Sequence, residues 1–101
     1  MRRALAIMWA DPAMWGEVGA DGRAGYVHML SVHRAARGTQ LGERMLRWAE
    51  SRIASTGRPL LRLDCWAAST FLPSYYAQLG YTCVACRGGR NGSVLFEKPL
   101  Q

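Results

Sequence analysis

A chain of 101 residues fits one domain and leaves little room for a second. Half of its residues are hydrophobic and four are tryptophan, which excludes a disordered tail. The formal net charge of +6 is carried almost wholly by arginines scattered along the chain. Such a balance attracts polyanions and phosphate-bearing ligands, but with no long run of like charge it argues against a nucleic-acid tail. Three cysteines cannot all pair with one another, so free thiols in a reducing, cytoplasmic compartment are expected.

Met1-Arg2-Arg3 followed by Ala4 to Ala10 has the outline of a very short signal peptide. Asp11-Pro12 cuts its apolar run at about seven residues, the bottom of the usual range. The stretch reads equally well as a first β-strand, Leu5 to Trp9. No stretch approaches the ~18 apolar residues of a membrane span, so no membrane partner is expected. Asp11 to Ala24 is rich in Gly, Asp and Pro and reads as a loop, with Met14-Trp15 tucked back onto the fold. Gly25 to His33 is a strand with apolar groups on both faces, as at the centre of a covered sheet.

Thr39 to Thr56 is the clearest helix. Leu41, Met45, Leu46, Ala49 and Ile53 fall on one arc, with Glu43, Arg44, Arg47, Glu50 and Ser51 opposite. Gly57 and Pro59 end it. Leu60 to Trp66 is the next strand, and strand, helix, strand at this spacing implies a right-handed parallel crossover. A second helix runs from Ser69 or Thr70 to Leu79, with Pro73 in its first turn. Tyr81 to Arg87 and Ser93 to Lys98 form a hairpin around Gly88 to Gly92. The expected fold is therefore α/β (α+β), with a mixed, mostly antiparallel sheet, one parallel βαβ step and the order β–β–α–β–α–β–β.

A strand, a glycine-containing turn and an amphipathic helix together suggest anion binding. The first amides of a helix lack internal partners, the dipole adds positive charge there, and glycine lets a ligand approach closely. Taken locally, an ordinary strand-to-helix turn explains the same residues as well.

The segment Val32-His33-Arg34-Ala35-Ala36-Arg37-Gly38-Thr39-Gln40-Leu41-Gly42 resembles the coenzyme A signature of the GNAT superfamily, Arg/Gln-x-x-Gly-x-Gly/Ala. Arg37 matches its first position and Gly42 its last, while Gln40 replaces the middle glycine. Tyr75-Tyr76-Ala77-Gln78-Leu79-Gly80-Tyr81 resembles the family's Leu-Tyr-Glu-Lys-Leu-Gly-Phe segment, and Leu63-Asp64-Cys65-Trp66 its fifth strand. The resemblance covers residue 25 to the end well and residues 3 to 24 loosely. It implies one partial domain over residues 1–101, beginning at about the family's third strand, without the usual first strand and helices.

The resemblance further implies acetyl-coenzyme A as co-substrate and direct acetyl transfer to a primary amine. The pantetheine arm would pair with the main chain of Leu30, Ser31 and Val32. The amides from Gly38 through Thr39, Gln40 and Leu41 to Gly42, with Arg37, would hold the pyrophosphate, and Arg34, Arg37 or Arg44 the 3′-phosphate. Ser69 stands where many members place an asparagine against the arm. Tyr76 matches the tyrosine that protonates the leaving sulfur. His28 to Arg34 resembles the arylalkylamine N-acetyltransferases, in which a histidine of the fourth strand aids amine deprotonation, so His28 is the candidate base. Against these stand plainer readings: a core aromatic for Tyr76, a hydrogen-bonded strand histidine for His28, and a shortened, non-catalytic coenzyme A-binding domain for the whole.

Cys83-x-x-Cys86 has metal or redox spacing, but residues three apart on a strand point to opposite faces, and no metal site is expected. Glu17, Asp21 and Asp64 have no special claim as bases. An open apolar sheet face would favour a homodimer.

Overall fold

The computed structural model describes residues 4–31 and 41–100. Five strands form one sheet in the order β1-β2-β3-β5-β4. They are β1 (Ala4–Met8), β2 (Ala24–Ser31), β3 (Leu60–Trp66), β4 (Thr82–Arg87) and β5 (Ser93–Pro99). The helices are α1 (Pro12–Trp15), α2 (Leu41–Ala54) and α3 (Leu72–Gln78). Among the described residues only β2 and β3 run parallel; the other neighbours are antiparallel. The mixed sheet with its βαβ step is the one the sequence implies. No helix among the described residues is long and apolar enough to cross a membrane.

One face of the sheet carries α2 and α3. Leu46, Ala49 and Ile53 of α2 are buried with Val27, Leu61, Leu63, Cys65, Tyr76 and Phe96. This is the arc expected from the 3.6-residue period. Gly25 makes the close approach possible: a Cβ there would meet Ile53 Cγ1 at 2.4 Å. Glu50, expected on the wet side, instead turns to the sheet, where it accepts from Tyr81 Oη at 2.8 Å and from Lys98 Nζ at 3.0 Å.

The other face corrects the sequence reading. Asp11 to Ala24 is not a loop throughout: Asp11 caps α1, Pro12 sits at its start, and a 3₁₀ turn follows over Gly16–Ala20. Four residues are too few to show a helical period, although Asp-Pro is a recognised start signal. This segment lays Trp15 over the sheet, where it is buried with Ala24, Tyr26 and Leu95. The face expected to be open and apolar is therefore covered here by the chain itself, and needs no second copy to bury it.

Arg62 fastens the covering segment. It is 5% exposed and lies against the Trp15 ring. It donates to Glu97 at 2.9 Å, to Tyr26 Oη at 2.6 Å, to the Val18 carbonyl at 3.1 Å and to Asp21 at 3.4 Å. A buried cation needs such a full set of acceptors to repay its lost hydration.

The expected opposition of Cys83 and Cys86 is also overturned. The β4–β5 register pairs Cys83 with Phe96 but Ala85 with Leu95, leaving Val84 as the extra residue of a bulge. Cys83 and Cys86 thus face Phe96 and Val94, two apart on β5, and share one side of the sheet.

Candidate active site

The parallel pair is short. Ala24, Gly25, Tyr26 and Val27 pair with Leu60, Leu61, Arg62 and Leu63, and there the ladder stops although both strands continue. Beyond Val27 and Leu63 the strands have parted. On its far side β2 stays paired to β1, but with a slip: Leu5 faces Met29 while Ala4 faces Ser31, so Leu30 is the extra residue of a bulge. A bulge increases local twist and leaves one residue without its ladder partner. It stands on the stretch of β2 that turns away from β3.

A cavity of about 260 Å³ opens between the parted strands, lined by Val27, Leu63, Asp64, Cys65, Trp66, Leu72 and Tyr76. This is below the roughly 300–1,000 Å³ of a drug-sized pocket, so it suits the reactive end of a long ligand better than a whole one.

Tyr76 is held there by the end of α3. Gly80, at φ +96°, allows the reversal that ends the helix. The Tyr81 amide donates to the Tyr76 carbonyl at 3.0 Å and the Gly80 amide to Ala77 at 3.1 Å, the paired bonds of a Schellman cap. The ring packs edge-on to Tyr75 and Tyr81 and tilted against Phe96. Burial, with smaller contributions from Cys65, Tyr75 and Asp64, pushes its phenol far above the ordinary range. Tyr76 is therefore a proton-bearing hydroxyl at any working pH. Its neighbour Cys65 is pushed up to about 11, first by burial and then by Asp64, so it is a thiol and a poor nucleophile.

His28 lies one pleat beyond Tyr26, and Asp64 one pleat beyond Arg62, on the face opposite α2. With Asp11 they form a cluster: one nitrogen of His28 and one oxygen from each carboxylate lie within 4.8 Å of one another. His28 Nε2 is 3.4 Å from Asp11 Oδ2, yet it is buried without an aligned hydrogen bond. Burial raises the Asp64 carboxyl above its usual range; His28 opposes this, Asp11 adds to it, and a Ser93 hydrogen bond opposes it. The three groups can exchange protons or take a cation. Sequence reasoning gave Asp11 and Asp64 no role because they come from separate segments; the signal available was the Asp11-Pro12 helix start.

Ser69 is half-buried, and its Oγ accepts from the amides of Phe71 at 3.2 Å and Leu72 at 3.0 Å. It serves the turn into α3, so the helix starts at Leu72 rather than at Ser69 or Thr70. Leu30 and Ser31 lie on the parted end of β2, and Leu41 and Gly42 open α2. Val32, Arg37, Gly38, Thr39 and Gln40 lie outside the described residues, as do His33 and Arg34. Arg44 is exposed on α2.

A family model described as an acetyltransferase (GNAT) domain matches residues 2–97. The chain belongs to the GNAT acetyltransferase family. It is 38% identical over 90 residues to the uncharacterized N-acetyltransferase YesJ of Bacillus subtilis, covering 89% of this chain and 48% of YesJ. A GNAT-family acetyltransferase from Listeria monocytogenes superposes with a TM-score of 0.76 at 29% identity, over 97% of this chain and 57% of that one. A putative acyl-CoA N-acyltransferase from Klebsiella pneumoniae gives 0.64 at 26% identity, over 80% and 58%. This GNAT chain spans about half the length of the curated relative it matches.

Proposed function

We propose that this domain transfers an acetyl group from acetyl-coenzyme A directly to a primary amine. The observation that carries the reading is the parting of β2 and β3, with Tyr76 lining the cavity between them. Among the described residues the β3-facing edge of β2 from His28 to Ser31 has no sheet partner, so an extended pantetheine arm can add to it as a strand does. Leu30, Ser31 and Val32 would supply these main-chain contacts. Arg37 and the amides of Gly38 to Gly42 would hold the pyrophosphate at the start of α2. Ser69 would touch the arm only by sharing the hydroxyl that now serves the turn.

Bound acetyl-coenzyme A would supply an activated acyl carbon. His28 takes a proton from the acceptor ammonium, because only the neutral amine attacks. Tyr76 gives its proton to the departing sulfur; the burial that weakens its acidity also strengthens the basicity of a thiolate formed beside it. Three free thiols, two of them exposed, fit a reducing cytoplasm. Trp48, exposed on α2, is the apolar surface a homodimer would cover, and a monomer in sedimentation at micromolar concentration would remove that reading.

Calorimetric titration with acetyl-coenzyme A, followed by product analysis with a panel of amines, tests the reading. Saturable binding and acetylated amine are expected. Binding without turnover leaves a non-catalytic coenzyme A-binding domain, and no binding at millimolar ligand overturns both.

A further inference from the structure

We propose that Asp11 is a positioning residue for His28: it fixes the tautomer with the proton on Nε2 and leaves Nδ1 as the atom that receives the amine's proton. The inference rests on the proposed transfer reaction only for its kinetic consequence. Its structural basis is independent of the cofactor.

Nε2 of His28 is fully buried, lies 3.4 Å from Asp11 Oδ2 and has no hydrogen-bond partner among the described residues. The ring as a whole keeps 31% of its side-chain surface, so its open side lies away from Nε2. A nitrogen in that position cannot meet an incoming amine. It can carry a proton directed at a carboxylate, and a neutral imidazole has one donor and one acceptor nitrogen. With the donor set at Nε2, the lone pair falls on Nδ1. The distance is within ion-pair range but the alignment is short of a good hydrogen bond, as is common before a substrate completes a site.

Asp11 is built to hold still. It is 8% exposed. Its carboxylate accepts from the Met14 amide at 3.4 Å, its carbonyl from the Trp15 amide at 3.0 Å, and its own amide donates to Gly19 at 2.8 Å. Gly19 must be glycine for this, because a Cβ there would stand 2.4 Å from the Asp11 carbonyl oxygen. The segment carrying Asp11 is fixed in turn by Arg62, through Val18 and Asp21. Asp64 is the other charged group of the cluster. It lines the cavity beside Tyr76 and lies within 4.8 Å of both Asp11 and His28.

An ammonium loses one proton to Nδ1, giving an imidazolium whose charge is balanced by Asp11. The amine nitrogen bonds to the acyl carbon and the carbon–sulfur bond breaks. The sulfur takes the Tyr76 proton, and the second proton lost by nitrogen restores the phenol. Solvent removes the proton held on His28.

The test uses the chain with His33→Gln, which leaves one of the two histidines to observe. Imidazole ¹⁵N spectra at alkaline pH should show the Nε2–H tautomer, and Asp11→Asn should convert it wholly or partly to Nδ1–H. Asparagine is as good a helix N-cap as aspartate, so α1 keeps its start. In kinetics Asp11→Asn should lower kcat about 10–100-fold, below the roughly 100–10,000-fold of losing a general base outright, because Asp11 only positions it. KM for the amine and affinity for acetyl-coenzyme A should stay within about threefold, and Asp11→Glu should recover part of the rate. In a His28→Gln background Asp11→Asn should cost nothing more. An Nδ1–H tautomer in the parent, or a spectrum indifferent to Asp11→Asn, overturns the proposal. So does a stoichiometric shift of the Nε2 signal on adding zinc, which would make the three groups a metal site. A tautomer change without acetyl transfer leaves Asp11's hold on His28 standing and removes the transfer reaction instead.

Discussion

The two ends of the β2–β3 pair differ by one pleat and behave as opposites. At the paired end, Tyr26 and Arg62 face each other, and Arg62 has acceptors on every side: Glu97, Asp21, Tyr26 and the Val18 carbonyl. At the parted end, His28 and Asp64 occupy the next positions on the same face. There Nε2 has no aligned partner and the Asp64 carboxyl is driven up by burial. The same sheet therefore spends its polar groups on rigidity at one end and leaves them incompletely paired at the other. Incomplete pairing costs stability, and it persists where the surrounding frame is strong enough to impose it. The saturated Arg62 network is that frame, since it pins the segment that carries Asp11.

This contrast orders the expected effects of substitution. Arg62→Met should be the most damaging, at about 3 kcal/mol, the lower end for breaking a buried ion pair, because Glu97 and Asp21 keep some water. Thermal unfolding should show it as a large drop in Tm; an unchanged Tm would mean that the network does not hold the cover. Tyr76→Phe should lower turnover about 100-fold, worth about 2.7 kcal/mol, with affinity for acetyl-coenzyme A nearly unchanged. An equal loss in both would mark Tyr76 as a binding or packing residue.

Asp64→Asn should have a smaller effect, of the opposite sign. Burial raises the Asp64 carboxyl above its unfolded value, so the native state holds the proton more tightly. Stability is then lost as pH rises from the ordinary carboxylate range through the raised value. Removing the charge should raise Tm at neutral pH, and the gain should vanish in acid; a lower Tm at pH 7 would contradict this. Arg47→Ala should change Tm least, because its ion pair with Glu43 is a solvent-exposed i,i+4 contact on α2. A loss comparable to that of Arg62→Met would show that pair to be structural.

The sequence made the frame legible where local rules decide. Gly57 and Pro59 separate the end of α2 from β3, and Leu60–Trp66 has the expected bounds. The apolar arc of α2 is the face that packs, except that Glu50 is drawn inward by Tyr81 and Lys98. Local rules failed where tertiary partners decide. The start of α3 shifts because the Ser69 hydroxyl caps amides two and three residues on. The bulge at Val84 has no signal in composition, and it moved Cys83 and Cys86 to one side. Within the candidate site, His28 and Tyr76 could be named from motif resemblance. Asp11 was not, because its proximity to His28 is created by the fold of α1 over the sheet.

The most direct test of the central claim is an amide chemical-shift titration of the ¹⁵N-labelled chain with acetyl-coenzyme A. Saturable shifts are expected, concentrated at Val27, Leu30 and Ser31 of β2 and at Asp64 to Trp66 of β3, with the paired end at Tyr26 and Arg62 nearly still. Shifts concentrated at the paired end or on the outer face of α2, or none at millimolar ligand, would contradict it.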